Sequence, residues 1–435
     1  MNKLFLLLPL VLVLQLSQAQ ILKRLGKSAQ NKVEQKINQK VDKSIDDAVD
    51  GKKKPKKENG KSTSEEGAVN EEANGGNNGG GIGNGKTGGL KSYSKFDFVP
   101  GEKILVEEDF SQDAVGDFPD KWNTNSTGEL VTVEGKTGKW LSLSKEGVFM
   151  PEFITSLPEN FTLEFDVMCN ANFSYYSSAF HLYMAALTNR KEFQNYKAFG
   201  PAKKEAVEVW IHPTEAGGSR GHSGFGVWNA GNPDMENASA TTQFHSKGNT
   251  YVKVSIWRQK QRLRVYLNEE KVWDVPRAFD GVKKYNTLLF MLGGTSDAND
   301  RYLLHNVRLA VGAPDTRNKL ITEGKFVTHG ILFDVNSDRI KPESYGVLKE
   351  IAGVLTEHGD VKVKIIGHTD SDGDDVSNMD LSKRRAAAVK AALSKEFNID
   401  LSRMEADGKG ESEPADKNDT PTGKANNRRV EFVKL

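Results

Sequence analysis

Residues 367–389 read GHTDSDGDDVSNMDLSKRRAAAV, and their reading decides the fold of the last quarter of the chain. They follow a strand-like run, Val361 to Ile366, in which Val361, Val363 and Ile365 share one face and Lys362 and Lys364 the other. A loop rich in Gly and Asp comes next. A helix is expected over 379–397, with Leu381, Val389, Ala392, Leu393 and Phe397 along one side. Asp370 lies in the loop and Arg385 one turn into the helix, fifteen residues on (385 − 370 = 15). A helix packed back beside the strand would turn both charges toward one cavity. A carboxylate and a guanidinium held apart suit a zwitterion, one taking its ammonium and the other its carboxylate.

The flanking pattern extends outward. Around the loop stand His368, Thr369, Asp370, Gly373, Asn378, Leu381, Ser382, Arg385, Ala386 and Val389. An Ile331-Leu332-Phe333-Asp334-Val335-Asn336 run reads as an opening strand, and Asn427-Arg428-Arg429-Val430 as a closing one. In these residues the stretch 326–435 resembles the OmpA-like peptidoglycan-binding domain. The resemblance implies non-covalent binding of the diaminopimelate residue of peptidoglycan stem peptides. Asp370 would take the side-chain ammonium and Arg385 the adjacent carboxylate. Thr369, Asn336, Asn378 and Arg428 would line the pocket. The helices and strands expected here are strand 328–336, helix 342–357, strand 361–367, helix 379–397, a short strand near 403–407 and strand 428–434, with 411–427 on the surface. This is an α/β domain of βαβαββ order, assigned to 316–435.

Residues 100–315 differ in texture. Short runs rich in Val, Leu, Phe, Trp and Tyr are broken by Gly, Asn and Pro, and none has a long helical period. Phe161, Leu163, Phe165 and Val167 alternate, as do the runs Tyr251–Trp257 and Leu263–Leu267. Such spacing predicts an all-β, antiparallel, jelly-roll-like sandwich. The runs 252–257, 262–268 and 303–309 are similar to concanavalin- and laminin-G-like domains. Sandwiches of that kind host carbohydrate binding, and some are glycosidases. A retaining glycosidase needs two carboxylates about 5–5.5 Å apart. Glu164 and Asp166, two apart on one strand, offer such a pair. The laminarinase-like pattern E-x-D-x-x-E fails, because Cys169 occupies its third acidic position. Trp210, Trp228 and Tyr183 could stack on sugars or could be core.

The N-terminal hundred residues carry little to bury. Lys3, the apolar run Leu4–Leu14 and Ser17-Gln18-Ala19 read as a secretory signal over 1–19. Without a cysteine at the cleavage point, the lipoprotein route is closed. Over 20–50, Leu25, Ala29, Val33, Ile37, Val41, Ile45 and Val49 recur every fourth residue. That pattern suits an amphipathic helix that orders on a membrane surface or partner. Residues 51–99 read as a disordered linker rich in Lys, Gly and Asn. Gly80, Gly85, Lys86 and Thr87 match a phosphate-loop spacing. No strand precedes them and glycines follow, so the match is a chance one in a glycine tract.

Composition narrows the function further. The 435-residue chain has a net charge of +1, which points to no nucleic-acid partner. Its single cysteine permits neither an intramolecular disulfide nor a multi-thiolate metal site. Asp370, Asp372, Asp374, Asp375 and Asp380 suggest calcium at first sight. An EF-type loop starting at Asp370 would need Gly where Asp375 stands and Glu where Leu381 stands. No metal and no cofactor are expected. The sequence therefore describes an exported, multidomain, non-enzymatic envelope protein of the periplasm, held near the outer membrane and cell wall. Its sandwich would bind a carbohydrate or protein ligand or act as a spacer. A wall-anchored glycosidase is the alternative.

Overall fold

The computed structural model describes residues 96–196, 205–312 and 316–435, all within one compact unit, Asn84–Leu435. The signal segment, the 20–50 helix, residues 51–95 of the linker and the phosphate-loop match lie outside the described residues.

Two antiparallel sheets form the sandwich. In the first, strand Asn160–Cys169 lies between Tyr251–Gln259 and Tyr302–Val311. Its alternation sorts the faces. Phe161, Leu163, Phe165 and Val167 point into the core, while Thr162, Glu164 and Asp166 point the other way. The second sheet sends in Phe180, Leu182 and Met184 from one strand and Leu288, Phe290 and Leu292 from the next. The two inner faces meet through aromatic contacts, with Phe165 of the first sheet edge-on to Phe290 of the second at 5.3 Å; within the second sheet Trp122 stacks on Phe290 at 5.7 Å. Cys169 is a buried free thiol in this core.

The C-terminal domain is α/β. Its four-stranded sheet runs in the order Lys325–Thr328, Val430–Lys434, Val363–His368, Met404–Gly410. The last two strands are parallel and the other pairs antiparallel. Helices Tyr345–Glu357 and Asp375–Phe397 bury Val347, Ile351, Leu355, Ala386, Val389 and Leu393 against Val363, Ile365 and Phe432.

Several expectations need correction. Residues 331–336 are not a strand; the first strand is Lys325–Thr328. Ser337 N donates to Asp334 O over 3.1 Å, and Asn336 sits at φ 52°. That tight turn breaks the alternation and leaves Val335 84% exposed. Only a single bridge, Phe333 to Ile340, closes the loop. The long helix begins at Asp375, four residues early, because the Asp374 side chain caps it by accepting from Ser377 N over 3.0 Å. Within 411–427, expected to be surface, Pro421–Asn427 is a helix with Ala425, Asn426 and Asn427 buried.

Residues 96–99, read from composition as linker, are also packed. Phe96, Phe98 and Val99 join Trp257 and Tyr266 of the sandwich to Val347 and Leu348 of the C-terminal domain in one core. Phe98 meets Tyr266 edge-on at 5.4 Å and Trp257 at 6.1 Å. Gly346 admits this segment, since a β-carbon there would lie 2.4 Å from Phe98 O. Asn426 joins the domains at a second point. Its Nδ2 donates to Ile104 O and its Oδ1 accepts from Ile104 N, both over 3.1 Å. Glu107 N donates to Thr422 Oγ1 over 3.1 Å. The C-terminal domain thus covers part of the outer face of the first sheet, where Glu164 and Asp166 stand.

Candidate functional site

The site forms where strand Val363–His368 runs out. A β-carbon on Gly367 would lie 2.4 Å from Ser382 O, so glycine lets the long helix settle against the strand. Ser382 Oγ donates to Met379 O over 2.8 Å and accepts from Gly410 N over 2.9 Å, which pins helix to sheet. His368 N donates to Arg429 O and Thr369 N to Gly410 O. The loop that carries Asp370 is therefore held at both ends.

Asp370 is buried. Arg428 Nη1 donates to its Oδ2 over 2.5 Å. Arg385 is half-buried and directs its guanidinium elsewhere. Its Nε donates to Ser337 O over 3.0 Å and its Nη2 to Asp334 O over 3.4 Å. The guanidinium carbon also stands 4.9 Å from the centre of the Phe333 ring. Burial pulls the Arg385 pKa below its ordinary value, partly opposed by Asp370. The charged guanidinium is thus held where it gains from a carboxylate partner.

The other expected residues take different places. Asn378 Nδ2 donates to Asp370 O, Asp372 O and Glu411 Oε2, so it braces the loop. The Thr369 hydroxyl is buried with no hydrogen-bond partner among the described residues. Asn336 is exposed at the tip of the 333–340 loop. A cavity of about 120 Å³ brings Arg385 and Arg428 together with Phe333, His368 and, from the sandwich, Arg308. Phe333 stands within the opening run already quoted. Arg308 carries no local signal, because only the packing of the two domains brings it here. His368 is buried 3.5 Å from Glu431. Burial would raise the Glu431 pKa, but His368, Lys325 and Arg429 hold it far below the ordinary range.

The acidic loop residues are spent on structure. Asp374 caps the helix, Asp372 pairs with Lys424 at 2.6 Å and Asp380 with Arg384 at 2.7 Å. Among the described residues no group of three or more His, Cys, Asp or Glu could hold a metal ion.

In the sandwich, Glu164 pairs with Lys253 at 2.8 Å. Burial would raise its pKa, but Lys253 and Arg308 hold it below the ordinary value. A general acid needs the opposite shift. Asp166 accepts from Tyr251 Oη over 3.0 Å and from Asn306 Nδ2 over 2.7 Å. The second sheet carries another constellation on its outer face. Glu208 accepts from His181 Nδ1 over 2.6 Å and from Trp228 Nε1 over 2.7 Å. Trp210 and Trp228 lie over the main chain at Gly224 and Gly226 beside it. A cavity of about 400 Å³ is lined by these groups.

Residues 332–428 match the sequence model described as OmpA family. Over 101 residues the chain is 44% identical to outer membrane porin F of Pseudomonas fluorescens, covering 23% of this chain and 31% of that protein. The chain thus spans about a third of that relative's length. Among solved structures, the peptidoglycan-associated lipoprotein from Burkholderia pseudomallei is 30% identical, with a TM-score of 0.23 over 24% of this chain and 88% of that one. The carbohydrate recognition domain of Emp47p aligns with 48% of this chain and 98% of its own, at 10% identity and a TM-score of 0.37.

Proposed function

We propose, from the membership of its C-terminal domain in the OmpA family, that this chain binds peptidoglycan non-covalently through the diaminopimelate residue of the stem peptides. The observation that carries the reading is the separation of Asp370 from Arg385. Among the described residues they are not bonded to each other: Asp370 pairs with Arg428, and Arg385 donates to main-chain oxygens and faces an aromatic ring. Arg385 and Arg428 line the cavity of about 120 Å³, and Asp370 stands behind it, bonded to Arg428; two opposite charges kept apart in this way suit a zwitterionic side chain. Asp370 receives the ammonium and Arg385 the carboxylate, with no bond made or broken. Thr369, Asn378 and Asn336 shape the loops around them, and Arg428 orients Asp370. The protein is exported and sits in the periplasm against the outer membrane and wall, as a non-enzymatic tether. Among the described residues no helix is long and apolar enough to cross a membrane.

The test is retention of the full chain on diaminopimelate-type sacculi, with free diaminopimelate as competitor. Asp370→Ala and Arg385→Ala should each lose about 2–5 kcal/mol of binding, as when one member of a buried charge pair is removed. Retention like the wild type's in either variant would sink the site assignment.

A second reading concerns the sandwich. The two tryptophans beside a buried His181–Glu208 pair favour a carbohydrate ligand on the outer face of the second sheet. A glycan array probed with the full chain and with Trp210→Ala should show a signal that the variant loses. An array with no binding by the wild type counts against this role.

A further inference from the structure

A second cavity, of about 350 Å³, lies between the two domains. It shares Arg308, Leu332 and Phe333 with the diaminopimelate pocket, so one ligand can touch both. Its floor is the outer face of the first sheet, and its other wall is the 332–343 loop of the C-terminal domain. Neither domain has this space alone.

The lining is polar but its charges cancel. Glu164 is matched by Lys253 and Glu107 by Arg308. Asp166 and Glu343 are offset in number by Lys136 and Lys341 on the same lining. Such a lining offers no net field for an ion, and offers many oriented donors and acceptors for a neutral polar ligand. The orientation is fixed in advance. Asp166 is held by Tyr251 and Asn306, and the Lys136 ammonium rests 4.5 Å above the Tyr251 ring. Trp140 packs on His305 with ring centres 4.7 Å apart. Both are more than nine-tenths buried. The Trp140 indole N–H and His305 Nδ1 have no hydrogen-bond partner among the described residues. Buried polar atoms left this way are costly, and here they lie sealed beneath the cavity floor rather than open to it.

We propose that this interdomain cavity is a second subsite, which takes the sugar-bearing end of the same peptidoglycan fragment whose diaminopimelate occupies the C-terminal pocket. The inference rests on the peptidoglycan reading above. In the wall polymer two residues separate diaminopimelate from the amino sugar, three residue steps with a reach of about 10 Å in an extended chain. The sugar can therefore lie beside the diaminopimelate pocket, and the cavity that shares its wall is there. The docked sandwich is then part of the wall-binding site, and the affinity of the C-terminal domain alone understates that of the chain.

The experiment titrates the full chain with two ligands, the diaminopimelate-containing stem tripeptide and the same tripeptide carrying its disaccharide. The disaccharide form should bind at least tenfold more tightly. Asp166→Asn, which keeps the side-chain shape, and Lys341→Ala, on the opposite wall, should each remove most of that gain and leave tripeptide affinity unchanged. Thermal melting of both variants checks that the fold is kept. Equal affinity of the wild type for the two ligands, or a gain that survives in both variants, overturns the subsite while leaving the diaminopimelate site standing. Binding of neither ligand overturns both.

Discussion

Arg428 donates to Asp370 over 2.5 Å, and its Nη2 stands 4.0 Å from Glu107 in the first strand of the sandwich. One guanidinium therefore ties the orientation of the Asp370 carboxylate, proposed to take the ligand's ammonium, to the docking of the neighbouring domain. A double-mutant cycle of Asp370→Ala and Arg428→Ala, read as sacculus affinity, is expected to give a coupling of about 1–2 kcal/mol. Additive losses would show that the two residues act independently.

The junction is expected to make the two domains unfold together. Phe98 is buried between Trp257, Tyr266 and the helix Tyr345–Glu357. Phe98→Ala should cost about 3–5 kcal/mol, the usual loss for a buried aromatic. It should also split one calorimetric transition into two. A single unchanged transition would mean that the junction contributes little.

His329 lies at the same junction, where its Nε2 donates to Asn426 O over 3.0 Å. Burial pushes its pKa down to about 4 against that bond, and the Arg308 and Arg429 guanidiniums lower it further. An unfolded histidine takes up its proton near pH 6.5, whereas this one does so only near 4. Its contribution to stability is thus complete above about pH 6.5 and is lost as the pH falls toward 4. At about pH 5 the loss from this group is about 2 kcal/mol. His329→Gln should melt with a shallower pH dependence than the wild type between about pH 7 and pH 5. Parallel profiles would exclude this group as the source.

Glu164 is expected to matter for stability and not for hydrolysis. Glu164→Gln leaves the Lys253 ammonium without its partner and should destabilise the chain by about 2 kcal/mol or more, discounted for the part of Lys253 that stays solvated. Wall material incubated with the wild type should release no reducing sugar. Release that disappears in Glu164→Gln would restore the glycosidase reading.

Much of this was legible in the residues. The alternation of Phe161, Leu163, Phe165 and Val167 reports a half-buried strand because the strand period is two. The stretch 367–389 carries strand end, loop and helix in order, and its residue types put a carboxylate and a guanidinium on offer. What it could not report is where each charge ends up. Asp370 bonds Arg428, 58 residues away, and Arg385 bonds the carbonyls of a loop some fifty residues upstream. The expected strand over 331–336 failed because an apolar run gives no warning of the Asp334–Ser337 turn inside it.

The sequence by itself determined most of the elements, since periodicity and capping act over a few neighbouring residues, but not the turn at 334–337 or the helix Pro421–Asn427. It determined the chemistry on offer at Asp370 and Arg385 for the same reason. Only the tertiary structure decided that Phe96 and Phe98 leave the linker to fill a junction, that Asn426 clamps Ile104, and that Arg308 of the sandwich reaches the pocket of the other domain. Those outcomes depend on burying apolar surface between residues hundreds of positions apart, and no local pattern encodes which faces meet.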